Sequence, residues 1–249
     1  MERKLYDLSI AEHLLFFSQK FTLSKQVNTI ATLLMLEGEV DLDILKEAIK
    51  LCYKRVDSLT LRLVKDGKKV RQYFNDEEIP IIENLDFTEK TEEQGEKVLK
   101  KLAKQRVTYI NKPLSKIYIV NNFKNMKGIF FLVSHVILDS WGICIFFKDI
   151  MEVYEALQDE KEFPKAPVSY KEMLIKELEY KDSLQFKKDE AYWQGQFQPG
   201  NEPIYTGING YEPLEKARKK NKNPNYRSAS IISLFSKGAH EIQLIPKDM

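Results

Sequence analysis

Two nearly unbroken apolar runs constrain the fold of this 249-residue chain more than any other feature. Residues 29–36 combine apolar side chains with β-formers and end at a Glu-Gly pair, a pattern typical of a strand buried on both faces. Residues 129–134 are almost wholly apolar, and a turn-prone segment separates them from the β-rich residues 116–122. The chain is therefore predicted to contain a buried sheet, and its length is enough to bury a core.

Amphipathic helices are predicted between and after these strands. The clearest begins behind Asp41, a predicted N-cap, and repeats apolar residues at intervals of three and four through Val56. An Asp-Gly pair between residues 59–64 and 69–74 predicts a hairpin. Further helices are predicted over residues 9–20, 91–108, 143–157 and 169–195.

The composition excludes several classes of protein. Lys and Arg number 39 and Asp and Glu 37, and this net charge of +2 is far below that of proteins that bind nucleic acid through phosphates. Every apolar run is shorter than the roughly 18 residues that span a bilayer. The N-terminus lacks the pattern of a secretory signal, so a cytoplasmic protein without a membrane span is expected. Cys52 and Cys144 lie far apart inside apolar patterns, which predicts neither a disulfide framework nor a metal site.

His135 is the histidine with the most suggestive position. The apolar run over residues 129–134 brings it to a strand-to-helix junction, where ligands commonly meet the ends of strands in α/β sheets. His13 and His240 have no acidic or cysteine neighbours at metal-ligand spacing and are interpreted as structural or solvated. Position alone is a weak signal, because a histidine at a strand end is more often structural than catalytic.

The residues that follow this strand resemble a known acyltransferase motif. Residues 134–139 read Ser-His-Val-Ile-Leu-Asp, and His135 and Asp139 match the second His and the Asp of the HHxxxDG signature. That signature is shared by chloramphenicol acetyltransferase, the BAHD plant acyltransferases and the condensation domains of nonribosomal peptide synthetases. The chain thus resembles this acyltransferase superfamily where the predicted sheet places its histidine.

Other motif positions depart from the family pattern. Ser134 replaces the first His, which BAHD enzymes also lack. Ser140 replaces the Gly, a residue that allows positive φ or close approach of a substrate backbone. Trp141 and Gly142 resemble the Gly-Trp-Ser that closes the motif in condensation domains, with Gly and Ser exchanged. Gly142 is expected to supply the backbone freedom lost at Ser140.

The resemblance to condensation domains extends from about residue 5 to 197. Residues 8–12 resemble their opening Leu-Ser-x-x-Gln helix, with Glu12 in place of Gln. Residues 59–63 resemble their Leu-Arg-Thr-Arg-Phe strand, with Arg62 at the second Arg, and Tyr192-Trp193 resembles the pair that ends their long helix. The resemblance implies an α/β fold: a chloramphenicol-acetyltransferase-like two-layer sandwich lobe, with a mixed, mainly antiparallel sheet and packed helices.

The same resemblance divides the chain. Residues 1–197 are expected to form the N-terminal lobe of a condensation-like domain. Residues 198–249 are expected to form a connecting segment, with one further strand near 241–245, and the start of the crossover to a missing C-terminal lobe. On this interpretation a single lobe is incomplete as an enzyme.

The resemblance implies an acyltransferase that moves an acyl group from a thioester to an amine or hydroxyl acceptor. His135 would be the general base, since imidazole exchanges protons near neutral pH. Asp139 would be structural and paired with Arg62. The implied donor is a thioester on coenzyme A or on the phosphopantetheine of a carrier protein, with no bound cofactor and no metal. The implied partners are carrier domains, the C-terminal lobe and neighbouring synthetase domains.

Two alternatives remain open from the sequence. A degenerate, non-catalytic condensation-like domain would act as a module that binds a carrier or another partner. A stand-alone acyltransferase would use acyl-coenzyme A with the same motif but without carrier partners.

Overall fold

Helices and strands are both present along the chain in the computed structural model, which describes residues 3–21, 28–77, 80–105, 107 and 110–197. The expected connecting segment 198–249 and its strand near 241–245 lie outside the described residues. A short 3-10 helix (Asp57–Thr60) leads into β2. The elements in chain order are α1 (Ile10–Phe21), β1 (Thr29–Leu36), α2 (Leu42–Arg55), β2 (Leu61–Asp66), β3 (Lys69–Phe74), β4 (Ile82–Asp86), α3 (Glu92–Ala103), β5 (Ser115–Phe123), β6 (Met126–Ser134), α4 (Ser140–Gln158), α5 (Tyr170–Lys181) and α6 (Leu184–Gln196).

Four of the strands form one sheet in the order β1-β6-β5-β4. Strands β1 and β5 both pair antiparallel with β6, whereas β4 pairs parallel with β5. Strands β2 and β3 form a separate two-stranded hairpin around the predicted Asp-Gly turn. The predicted α/β class with a mixed, mainly antiparallel sheet is therefore confirmed.

Strand β6 is one of the two interior strands of this sheet. Every residue from Gly128 to Ser134 is buried, as expected for an almost wholly apolar strand. Alternate side chains enter two hydrophobic clusters, since Phe131 belongs to the cluster that contains the buried faces of α2 and α4, and Phe130 to the one that contains Leu99 of α3. A Cβ atom at Gly128 would lie 2.1 Å from the carbonyl oxygen of Leu34 in β1, so only glycine fits there.

The structure differs from the sequence-based expectation at two elements. The single helix expected over residues 169–195 is two helices, α5 and α6, because Ser183 accepts a hydrogen bond from the Phe186 N–H and starts a new helix. Strand β4 was not predicted, because its burial is only partial and its partner β5 is distant in sequence.

The chain divides into two compact units, with the boundary between Glu177 and Leu178. Within the described ranges, no helix is both long and apolar enough to cross a bilayer.

A buried carboxylate joins three elements of the first unit. Glu12 in α1 is 2% exposed. Its carboxylate accepts hydrogen bonds from the Ser9 N–H at 2.7 Å, the Gln72 side chain in β3 at 2.6 Å and the Tyr170 hydroxyl in α5 at 2.6 Å. Ser9 and Glu12 also form a reciprocal capping box at the start of α1, because the Glu12 N–H donates to the Ser9 hydroxyl at 3.1 Å. Burial raises the pKa of Glu12 above its ordinary 4.5, and these hydrogen bonds partly oppose the rise.

Substitution Glu12→Gln should remove part of the pH dependence of stability. Below pH 4.5 the group is protonated in both the folded and the unfolded state, so its contribution to stability is complete. As the pH rises through the raised pKa, the unfolded state ionises first and folding stability is lost. We expect the variant to be stabilised relative to the wild type on going from pH 4.5 to pH 7.5, measured by urea unfolding.

The exposed Glu39 provides a matched control, because Glu39→Gln removes the same charge from a solvated position. This control should follow the wild-type pH dependence. If Glu12→Gln also follows it, the buried carboxylate does not contribute to the pH dependence as inferred.

Candidate functional site

His135 lies directly after β6, where the sheet ends. The residue is half-buried, and its backbone N–H donates to the Asn28 carbonyl oxygen at 2.7 Å. Within the described part of the chain, the buried Nδ1 atom of its ring has no hydrogen-bond partner. The main chain of His135 is therefore fixed by the protein, while none of the described carboxylates holds Nδ1.

Ser134 organises the turn that follows β6. Its carbonyl oxygen accepts hydrogen bonds from the N–H groups of Ile137 at 3.1 Å and Leu138 at 3.4 Å, and its hydroxyl accepts from the Val136 N–H at 3.2 Å. Ser134 itself is 0% exposed and donates its N–H to the Leu114 carbonyl at 2.8 Å. All backbone N–H groups from Ser134 to Leu138 thus have acceptors. The Ser134 side chain, which stands where the family motif has its first His, is buried in the protein.

Asp139 ends this turn and begins α4. It is the N-cap residue, and its exposed carboxylate accepts a hydrogen bond from the Gly142 N–H at 2.7 Å. Ser140 is the first residue of α4 and is not among the residues with positive φ, so a serine fits where the family has glycine. Gly142 also lacks a positive φ; a Cβ there would lie 2.7 Å from the Leu138 side chain. The backbone freedom expected at Gly142 is therefore not used. Glycine fits there because a larger residue would place its Cβ too close to the Leu138 side chain.

The structure gives Asp139 a different partner from the expected Arg62. Arg62 is 2% exposed in β2, and its guanidinium donates to the carbonyl oxygens of Leu59 at 3.2 Å and Leu61 at 2.5 Å. No ion pair between Arg62 and Asp139 is present among the described residues. The exposed position of Asp139 lets its carboxylate satisfy the helix N-terminus instead. The contact that the structure shows for the Asp139 carboxylate is this cap, and a structural role for Asp139 stays a prediction.

An exposed apolar edge borders the turn. Trp141 is 70% exposed and Ile145 41% exposed, and their spacing of four residues places both on one side of α4. The opposite side of the helix carries the buried Phe146 and Ile150. Trp141 and Ile145 are therefore exposed next to the turn, whereas Phe146 and Ile150 belong to the core.

Asn28 is a site residue that the sequence did not reveal. Its carbonyl holds the His135 N–H, and its side chain bonds to α1. The register of β1 against β6, with Thr29 opposite Ser134, places Asn28 beside His135. Only a predicted register could have revealed it, because Asn28 belongs to no recognised motif.

The arrangement suits proton transfer to or from a bound substrate. The described residues contain no group of three or more His, Cys, Asp or Glu side chains able to hold a metal ion. Ser134 is buried with its hydroxyl bonded to the turn, so it is not placed as a nucleophile for His135. A half-buried imidazole next to a serine that is buried and bonded to the turn fits a reaction in which the acceptor substrate itself attacks.

Comparison with known proteins identifies the family. A family model described as Condensation domain matches residues 2–221. The chain belongs to the condensation domain family. A linear gramicidin synthase of Brevibacillus parabrevis is 22% identical over 234 residues, an alignment that covers 92% of this chain and 4% of that protein. Tyrocidine synthase 3 of the same organism is 23% identical over 193 residues, 77% of this chain and 3% of that protein. The resemblance read from the motif and its flanking segments is therefore confirmed.

Solved condensation domains share the fold. The starter condensation domain of rhizomide synthetase has a TM-score of 0.73 at 20% identity, over 80% of this chain and 49% of that one. A variant of it in complex with C8-CoA and Leu-SNAC has a TM-score of 0.68 at 21% identity, over 77% and 45% of the two chains. The present chain thus spans about half the length of these condensation domains and a small part of the synthetases it matches.

The cap at Asp139 generates a prediction about stability. Asp139→Ala removes the acceptor for the Gly142 N–H and should lower the free energy of unfolding by about 0.5–2 kcal/mol. Asp139→Asn keeps an oxygen acceptor and should cost only about a few tenths of a kcal/mol, because Asn and Asp are similar N-caps. Urea unfolding of the two variants measures the difference. An equal loss in both would show that the charge, not the cap, stabilises the turn.

Proposed function

We propose that the chain is one lobe of an acyltransferase that transfers an acyl group from a thioester to an amine or hydroxyl acceptor, with His135 as general base. The observation that supports this most is the half-buried imidazole at the end of β6. Its main-chain N–H is hydrogen-bonded, and its Nδ1 has no partner among the described residues. The main-chain hydrogen bond fixes where the ring originates, and the partial exposure of the residue leaves part of His135 open to a substrate.

The ligands of related structures support the substrate classes. A rhizomide synthetase domain of the same fold was solved with C8-CoA and Leu-SNAC, an acyl-coenzyme A and an amino-acid thioester. The family match covers the same part of the present chain as the sheet, the turn and α4. We infer that this chain acts on the same two kinds of substrate.

In the proposed reaction the acceptor attacks the thioester carbonyl directly. A carbon–nitrogen or carbon–oxygen bond forms, and the carbon–sulfur bond breaks with its electron pair leaving on sulfur. His135 takes the proton that the acceptor loses and passes it to the departing thiolate, so the imidazole ends in its starting state. The chain supplies no covalent intermediate in this scheme.

His135 accounts for only part of the proposed rate. Proton transfer by a positioned side chain contributes about 10²- to 10⁴-fold, and holding two reactants in the correct geometry contributes much of the rest. The exposed Trp141 and Ile145 lie next to the turn and are available to contact a reactant. The second lobe and the carrier or coenzyme A portion of the donor would complete the site.

The relatives suggest the setting of the reaction. The linear gramicidin synthase is much longer than this chain, which matches 4% of it. We propose that carrier domains, a C-terminal lobe and neighbouring synthetase domains are the partners of residues 1–197, and that residues 198–249 lead into that second lobe. Donors on coenzyme A or phosphopantetheine also fit the cytoplasmic location expected from the sequence.

Substitution His135→Ala tests the role of the imidazole. In an assay with C8-CoA and a panel of aminoacyl thioester analogues, we expect kcat to fall by about 10²- to 10⁴-fold while the thermal midpoint stays close to the wild-type value. The assay follows acylated product by mass spectrometry in the whole protein that carries this chain.

His13→Ala is the matched control, since His13 is an exposed histidine in α1 that contacts Phe17 at a ring-centroid distance of 4.4 Å. The control should retain wild-type turnover. Unchanged turnover in His135→Ala would remove His135 from the mechanism. Donor binding without turnover in the wild type would instead support the non-catalytic binding module.

A further inference from the structure

Asn28 lies beside His135 because of the register between β1 and β6. Thr29 is paired with Ser134, so the residues just outside both strands face each other. The His135 N–H donates to the Asn28 carbonyl oxygen at 2.7 Å, which continues the pairing by one residue. The main chain of the histidine is thus connected to β1 through Asn28.

The side chain of Asn28 connects in the other direction, to α1. Its Nδ2 atom donates to the Leu15 carbonyl oxygen and to the Ser18 hydroxyl, the latter at 3.2 Å. The Ser18 hydroxyl donates in turn to the Leu15 carbonyl at 2.9 Å. Asn28 is 6% exposed, so the two hydrogen bonds that its amide donates are partly shielded from water.

At this end strand β1 starts at Thr29, directly after Asn28, and pairs with β6. It is an edge of the sheet within the described part of the chain, with β6 as its paired neighbour. The Nδ1 atom of His135 has no hydrogen-bond partner among the described residues, so no side-chain bond to that atom orients the ring. The main-chain hydrogen bond to Asn28 is therefore a contact through which the fold can position the histidine.

We propose that Asn28 is a positioning residue for His135: its amide anchors the start of β1 to α1, and its carbonyl then fixes the histidine main chain. This inference rests on the proposed function of His135. A displacement of about 1 Å at a reacting group reduces the rate by about 10²-fold, so a loose anchor affects turnover more than binding.

Two substitutions of Asn28 test this role. Asn28→Asp keeps the size of the side chain but cannot donate to the Leu15 carbonyl, and Asn28→Ala removes the amide entirely. In both, we expect kcat to fall about 10- to 100-fold with KM changed less than about twofold. Ser18→Ala removes one of the two acceptors and should reduce kcat less than either Asn28 variant.

A spectroscopic measurement separates positioning from general stability. The chain has three histidines, so the ring resonances of ¹³C-labelled histidine are few and His135→Ala assigns the relevant one. Both Asn28 variants should shift the His135 resonance. Tyr154→Phe, which removes a buried hydroxyl that accepts from the Asp41 N–H at 2.9 Å, should reduce stability without shifting it.

The outcomes distinguish this inference from the proposed function. A His135 resonance unchanged in both Asn28 variants, or a fall in kcat no larger than that of Tyr154→Phe, would overturn the positioning role. Wild-type turnover in His135→Ala would overturn the catalytic role of His135, and with it a positioning role for Asn28 in catalysis, whatever the resonance does. A shifted resonance with reduced kcat in the Asn28 variants and inactive His135→Ala supports both.

Discussion

Burial of β6 on both faces is the constraint on which the rest of this fold depends. The strand has a paired neighbour on each side and a hydrophobic cluster on each face, and Gly128 allows β1 to approach closely. Such a strand has one stable register, because a shift by one residue would exchange the two faces. The position of His135, one residue beyond its end, follows from that register.

The turn after β6 contains backbone N–H groups that are hydrogen-bonded and a histidine ring nitrogen that has no partner within the described residues. Each backbone N–H from Ser134 to Leu138 is bonded within the protein, whereas the Nδ1 of His135 has no partner among the described residues. Buried polar groups are normally paired, and an unpaired one in a native structure calls for an explanation. The two residues that depart from the family motif belong to the local structure: the Ser134 hydroxyl accepts a hydrogen bond within the turn, and Ser140 is the first residue of α4.

The sequence predicted the elements whose signals are local. Residues 29–36 form β1 as predicted, because an unbroken apolar run specifies a buried strand, and Asp41 caps α2 as its side chain predicts. Strand β4 was missed because its partner lies about thirty residues away along the chain. The partner of Asp139 and the role of Asn28 depend on side-chain direction and on register. Residue type and spacing contain neither kind of information.

The cap on α4 has a consequence for local stability. Amides in the central strand of a sheet exchange with solvent through the largest opening reactions, whereas the first turn of a helix, capped here by the exposed Asp139, opens at lower cost. His135 lies at the boundary between these two regimes, with β6 before it and the capped turn after it. Local opening of the first turn of α4 can therefore change the space near the imidazole while the strand that carries it stays protected from exchange.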